Sequence, residues 1–253
     1  MKLWTPPPLR QRLLRPGAGT RNSQRGWVMA PYRYGATTDP FWTDVVLLLH
    51  CDGTDGSSTF VDSSSTPKTV TAQAGAVLAT ASPMRGSAYG VLSGGGARRL
   101  DVSSHTDLAF PGDFTVEMLL RRTVDAGFNA ITFSAANWNI YWVGSPSSLN
   151  FWDGAANRIV SGSSFSADVS HHIALCRSGT SVRLFLDGVQ VGSTYTNSGP
   201  TSLGAGGVRV GGYPSSGTPS ATYLGGDVDE IRITRAARYT ANFTPPTGMH
   251  PDG

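Results

Sequence analysis

The sequence predicts an all-β fold, two antiparallel sheets packed as a sandwich behind an extended N-terminal arm. Three observations carry this. Glu117 and Glu230 are the only glutamates of 253 residues, and Lys2 and Lys68 the only lysines; both residue types favour helix surfaces, so a helix-rich fold is excluded. Gly, Ser and Thr supply 84 residues, a third of the chain, as a fold of many short strands and turns requires. Apolar runs of strand length recur roughly every ten residues from Thr43 onward, the spacing of a sandwich. A chain of this length buries about 70% of its unfolded surface and needs no metal or disulfide staple.

Residues 1–42 read as the arm. Within residues 1–40 there are six prolines and seven bases against one acid, Asp39, so the first 40 residues carry +6 while the whole chain carries +3. Proline is unsuited to helix interiors and central strands. Trp4, Trp27, Tyr32 and Tyr34 alternate with Arg10, Arg12, Arg15 and Arg25. Large aromatics and forked guanidiniums are the residues that interface hot spots use, so the arm is expected to anchor the chain to a partner protein. The Pro6-Pro7-Pro8 run and the aromatics fit a protein groove better than nucleic acid.

The sandwich is assigned to residues 43–247 and a short tail to 248–253. Val45 to Leu49 is a continuous apolar run, the mark of a strand covered on both faces. In the run from Phe114 to Arg121, Phe114, Val116, Met118 and Leu120 share one face, which leaves Glu117 on the other, expected to meet solvent. His172–Arg177 is a strand, and Val182–Leu186 and Val189–Val191 flank Asp187-Gly188, the dipeptide of a type I′ hairpin turn. Residues 207–212 and 228–233 are two more strands. Shorter ones are expected at 69–72, 100–102, 130–133, 140–143, 149–152 and 158–160, and a short helix at 236–240. Cys51 and Cys176 each end an apolar run and are expected to be buried, reduced thiols. The longest apolar run has five residues, far short of the ~20 that span a bilayer, and no secretion signal is visible.

Four segments together carry a resemblance: LLLHCDGTDGSSTFVDSSS, GDFTVEMLLRR, HHIALCRSGTSVRLFLDGVQVG and GGDVDEIRITRAARYTANFTPPT. In this order and spacing the chain, from about Val45 to Pro246, resembles the concanavalin A-like lectin/glucanase superfamily. More narrowly it resembles the laminin-G-like domains of bacteriophage virion proteins. The resemblance implies a jelly-roll sandwich of two curved antiparallel sheets. It also implies a structural virion protein of a tailed phage, made in the host cytoplasm and carried on the particle in many copies or as an oligomer. Residues 1–40 would join it to other virion proteins as a decoration or appendage. The alternative is an adhesin for host surface glycans.

Catalysis by the glucanase route is not expected. Those enzymes set two carboxyl groups on one strand as Glu-x-Asp-x-x-Glu, flanking the scissile bond, and no such motif occurs here. No Gly-x-Ser-x-Gly elbow or phosphate-binding Gly-rich loop is present either. His171 and His172 are neighbours on a strand, diverge, and are expected to be structural. The resemblance implies a structural calcium as the one cofactor to consider, on Asp229 with Asp52 as neighbour; the competing expectation is that Asp229 caps loop amides. For glycans the aromatic segment between residues 138 and 152 offers Trp138, Tyr141 and Trp152, with Asn137, Asn139, Asn150 and Asp153 for hydroxyls. Core filling competes for each of those rings.

Overall fold

The computed structural model describes residues 38–94, 97–109, 112–123, 128–133, 137–143, 148–164, 166–198, 206–212 and 224–253. The chain divides into two units, residues 1–34 and 35–253, and the described residues all belong to the second. Among them fifteen strands build two antiparallel sheets, with no α-helix.

The first sheet contains β1 (Val45–Leu49), β3 (Val77–Ala79), β4 (Tyr89–Val91), β6 (Phe114–Arg122), β11 (Ser170–Ser178), β12 (Ser181–Leu186), β13 (Val189–Thr196) and β15 (Gly226–Thr234). Its order is β13-β12-β11-β6-β15-β4-β3, with β1 paired to β15. The second contains β2 (Val70–Gln73), β5 (Arg99–Val102), β7 (Phe128–Phe133), β8 (Trp138–Val143), β9 (Ser148–Trp152), β10 (Asn157–Ser164) and β14 (Val208–Val210), in the order β10-β9-β8-β7-β14-β5-β2. The predicted fold class is therefore the observed one. β3 and β4, three residues each, were not expected from the sequence; neither has enough residues to show a period.

Alternation fills the space between the sheets. Phe114, Val116, Met118 and Leu120 of β6 point into one core with Ile231 and Ile233 of β15, and with Trp142, Leu149 and Phe151 from the opposite sheet. Both residues of the expected hairpin turn have positive φ, Asp187 at 50° and Gly188 at 78°. Gly188 is also required for space, because a Cβ there would lie 2.0 Å from the Phe243 carbonyl oxygen.

The outer face of the first sheet differs from expectation. It is not solvated. All nine residues of β15 are buried, and Glu117 of β6 is 1% exposed rather than solvent-facing. The reason is the segment after β15. It forms no helix over 236–240 but crosses back over the sheet as an irregular strap. Tyr239 and Phe243 stack face to face, 3.6 Å between centroids, on Phe185 and Ala174. The residues after 247 are likewise held: the His250 amide donates to Glu230 Oε2 and the Asp252 carboxylate bonds His50 Nε2.

Beneath the strap lies a fully buried ionic network. Arg232 donates through Nε and Nη2 to Glu117 Oε1 at 2.9 and 2.7 Å and through Nη1 to Asp39 Oδ2 at 2.9 Å. Arg238 donates both Nη groups to Asp39 at 3.0 and 2.6 Å and its Nε to Thr234. The Tyr239 hydroxyl donates to the second Glu117 oxygen, which also meets His172 Nε2. Two cations balance two anions, each with its side chain wholly hidden. Asp39 was read from sequence as part of the arm; physically it belongs to the sandwich.

Removing one member of a buried pair leaves an unbalanced charge and costs about 3–5 kcal/mol. Asp39→Ala is expected to lower the unfolding free energy by that order in urea titrations. A chain starting at residue 38 keeps wild-type stability, and one starting at residue 41 shows the same deficit as the substitution.

Candidate functional site

Two places on the sandwich gather polar chemistry, and they differ in accessibility. The first is where β1 and β15 end. β15 carries an irregularity between Asp229 and Arg232, and Glu230 has φ +48°. Glu230 turns to hold His50 Nδ1 at 2.8 Å and the His250 amide at 2.6 Å, while Asp252 holds the other His50 nitrogen at 2.8 Å. Burial opposes protonation of His50, but its bonds to Glu230 and Asp252 outweigh that and raise it to about 9. The imidazole is thus a cation clasped between two carboxylates, one from β15 and one from the chain's end.

Asp229 and Asp52 lie nearby. Asp229 Oδ2 accepts the Arg85 amide and Oδ1 the Glu230 amide. Asp52 Oδ1 accepts the Ser87 and Ala88 amides and the Ser87 hydroxyl. Burial, with Glu230 and Asp52 close by, pushes the Asp229 carboxyl up to about 8. Both carboxylates are engaged with backbone amides, and no three Asp, Glu, His or Cys side chains converge among the described residues. These bonds serve the competing role, amide capping of the 85–88 loop. The two histidines of β11 also diverge, His172 to Glu117 and His171 to Asp187. Cys51 and Cys176 are buried free thiols.

The second place is the outer face of the second sheet, at β8, β9 and β10. Here the register fixes which side chains sit together. Tyr141 pairs with Asn150, and Asn150 with Val160; Asn139 pairs with Trp152, and Trp152 with Asn157. Val143 pairs with Ser148. Because the pleat alternates faces, these residues all point away from the core, which takes Ile140, Trp142, Leu149, Phe151 and Ile159 instead. Apolar and polar positions form a chequerboard. Diagonal neighbours on such a face stand about 7–8 Å apart, within reach of aromatic rings.

The chequerboard is internally bonded. The Tyr141 hydroxyl donates to Asn157 Oδ1 at 2.5 Å. Asn150 Oδ1 accepts from Ser148, and Asn139 Oδ1 from Thr132, with both asparagines buried. At the β9–β10 turn Asp153 accepts the amides of Ala155 and Ala156, the Arg158 guanidinium and the Tyr195 hydroxyl, and Arg158 lies over the Tyr195 ring at 5.1 Å. These bonds hold the Asp153 carboxyl below its ordinary range although burial works the other way. Tyr141 and Trp152 stay half-buried, and Asn157 is exposed.

Trp138, expected from the sequence beside Tyr141 and Trp152, is not on this face. It is 6% exposed and packs edge-on between Phe114 and Phe151, at 5.8 and 4.9 Å. Positions 138 and 141 are separated by an odd number of residues in one strand, which puts them on opposite faces. The arm residues Trp4, Arg10, Arg12, Arg15, Arg25, Trp27, Tyr32 and Tyr34 lie outside the described residues. Val143 and Val160, 41% and 51% exposed, were not singled out by sequence. The parity of Val160 against Ile159 is the signal that would have found it.

Comparison with known proteins follows the geometry. A laminin-G-type family model, described as concanavalin A-like lectin/glucanases superfamily, matches residues 94–242, more than half of the chain. The chain belongs to the concanavalin A-like lectin/glucanase superfamily. No curated protein sequence matches it. Among solved structures it is similar to the binding domain of Paraclostridial Mosquitocidal Protein 1, with a TM-score of 0.61 and 12% identity over 79% of this chain and 50% of that one. Botulinum neurotoxin type C, in a structure on cell entry through two ganglioside molecules, gives a TM-score of 0.56 and 13% identity over 78% and 49%. Domain 4 of AbnA, an extracellular arabinanase from Geobacillus stearothermophilus solved with arabinotriose, gives 0.56 and 16% over 77% and 93%. The chain thus spans about half the length of the two toxin chains and nearly all of the arabinanase domain. At these identities the likeness is one of fold.

The His50 clasp has a defined pH signature. A histidine raised above its unfolded value stabilises the fold fully below about 6.5, and that contribution is lost as pH rises through the folded value of about 9. The stability difference between wild type and His50→Gln, measured by denaturant unfolding, is expected to be largest at pH 6, to shrink steadily from about pH 6.5, and to be lost above about pH 9. An unchanged difference at pH 10 would show that His50 is not charged in the fold.

Proposed function

We propose that this protein is a non-catalytic carbohydrate-binding protein whose ligand face is the outer surface of β8, β9 and β10. The observation that carries the reading is the pairing of two half-exposed rings, Tyr141 and Trp152, on one face, with the Asn157 amide bonded to the Tyr141 hydroxyl. A sugar has an apolar ring face and a hydroxyl edge. Aromatic faces take the first, and an amide anchored in place takes the second. The likeness to an arabinanase domain solved with arabinotriose supports this choice of ligand class. The absence of chemistry is supported by the two glutamates. Glu117 is buried against Arg232 beneath the strap, and Glu230 is bonded to His50 and to the His250 amide. Although burial works against it, Arg232 and His172 hold the Glu117 carboxyl well below its usual range. A glycosidase needs one carboxyl raised so that it can donate a proton in an open cleft; the carboxyl that is raised, Asp229, is fully buried and bonded to two backbone amides.

On a glycan array, wild-type protein is expected to give a defined set of hits. Trp152→Ala weakens them at least tenfold, and Trp138→Ala reduces signal only in proportion to folded protein. An array without hits, or hits indifferent to Trp152→Ala and Tyr141→Ala, would refute the assignment.

A second reading concerns where the sandwich is displayed, and the division of charge favours it. Residues 1–37 contain seven bases and no acid, whereas residues 38–253 contain thirteen bases and seventeen acids. Together with the sequence resemblance, this supports a tailed-phage virion protein, made in the host cytoplasm and held to other virion proteins by its arm in many copies. The truncation that tests this must keep Asp39. A chain of residues 38–253 is expected to fold, stay soluble and no longer join particles; co-purification of that chain with particles would sink the reading.

A further inference from the structure

The ligand face has a feature that sugar hydroxyls do not explain. Val160 and Val143 are 51% and 41% exposed, and both point outward on the same face as Tyr141 and Trp152. Val160 lies in the Tyr141–Asn150–Val160 row and diagonal to Trp152, and Val143 is two residues beyond Tyr141 on β8. The two valines therefore flank the two rings, one on each outer strand of the three. A hydroxyl-rich sugar on this face would set hydroxyl groups against four methyl groups that offer them no hydrogen bond, and a desolvated, unpaired hydroxyl is unfavourable.

Resting on the carbohydrate reading above, we propose that the face selects sugars that carry a methyl group in place of a hydroxyl, 6-deoxyhexoses, with the methyl seated against Val160 or Val143. The arrangement matches such a sugar part by part. Trp152 and Tyr141 take its ring face. Asn157, fixed by its bond to Tyr141, takes hydroxyls at the ring edge. A valine takes the exocyclic carbon, where a hydroxymethyl group would lose its water.

The proposal is tested with matched pairs that differ only in that hydroxyl. L-Rhamnose is compared with L-mannose, and L-fucose with L-galactose, each as a multivalent conjugate on a biosensor surface. Burying one methyl group contributes ~0.8 kcal/mol, about fourfold in affinity. At least one deoxy sugar is expected to bind about fourfold or more tightly than its parent. Val160→Ser or Val143→Ser should bring that pair within twofold, by weakening the deoxy sugar, strengthening the parent hexose or both, with the thermal unfolding midpoint unchanged, and Val160→Leu should keep the preference. Trp152→Ala weakens both members of a pair alike.

Equal affinities within both pairs, or a preference that survives both serine variants, overturn the deoxy assignment while leaving the carbohydrate reading in place. Silence of the whole panel, together with a glycan array without hits, overturns the carbohydrate reading and the deoxy assignment with it. A change in sedimentation on Val160→Ser, with sugar binding unaltered, assigns the valine to a protein contact instead.

Discussion

One constraint governs this sandwich: four buried charges on the outer face of the first sheet must neutralise each other. Arg232 and Arg238 arrive from β15 and the strap, Glu117 from β6, and Asp39 from before β1. None could be buried alone, because desolvating a single charge costs several kcal/mol. The set therefore assembles together or not at all. Its members are 193 and 199 residues apart in the Asp39–Arg232 and Asp39–Arg238 pairs, so the network ties both ends of the domain to its centre. Replacing such a set by apolar residues of equal volume is often neutral for stability. What the ionic version adds here is register. A guanidinium that donates to two named carboxylates fixes where the strap and the segment at Asp39 lie on the sheet.

The consequence for function is geometric. With the strap seated, the first sheet has no free outer face over β6, β11 and β15, and the glutamates that might suggest chemistry are sealed beneath it or clasped at its edge. That leaves the outer face of the second sheet for the binding proposed above. There the half-exposed rings and the exposed valines lie on β8, β9 and β10, and among and beside them Asn139, Asn150 and Thr132 are buried and bonded to neighbours. Those inner bonds hold the strands in register, so the outer rings are presented by a rigid surface. The scaffold thus meets the condition under which two aromatic side chains bind at low entropic cost, since few torsions remain to be fixed.

How much of this was legible follows from the range of each signal. Alternation is local, so Phe114, Val116, Met118 and Leu120 could be assigned to one face from β6 alone. The Asp187-Gly188 turn could be assigned too, because its requirement for positive φ is a property of two residues. Glu117 could not. Its burial depends on a strap 120 residues away, and a lone Glu on an alternating strand normally meets water. Asp39 was hidden for the same reason: in sequence it lies among prolines and arginines, and its partners are arginines on β15 and beyond. Trp138 is different. The parity rule that separates Tyr141 from Trp142 also separates Trp138 from Tyr141, and with Ile140 it places Trp138 in the core. The grouping of Trp152 with Tyr141, by contrast, was expected from their nearness in the chain, and it is the β8–β9 register that fixes their places on one face.

The exposed valines bear on the same question from the side of cost. β10 ends the hydrogen-bonded order of the second sheet, and β13 of the first sheet packs against it, so closely that a Cβ on Gly192 would lie 2.7 Å from the Val160 carbonyl oxygen; edge strands left open offer unpaired backbone groups to a neighbouring chain. Proteins usually protect such strands with charge. β10 has Arg158 at one end, but its guanidinium is engaged with Asp153 and Tyr195, and at Val160 the strand presents a half-exposed branched apolar side chain beside Trp152. A serine there would remove the exposed apolar surface with no loss to the core, because Ile159 alone of that pair faces inward. Singly exposed apolar residues are ordinary on protein surfaces. Two valines and two aromatic rings share one face of three neighbouring strands, and the core packing, taken up by Ile140, Trp142, Leu149, Phe151 and Ile159, does not require them there.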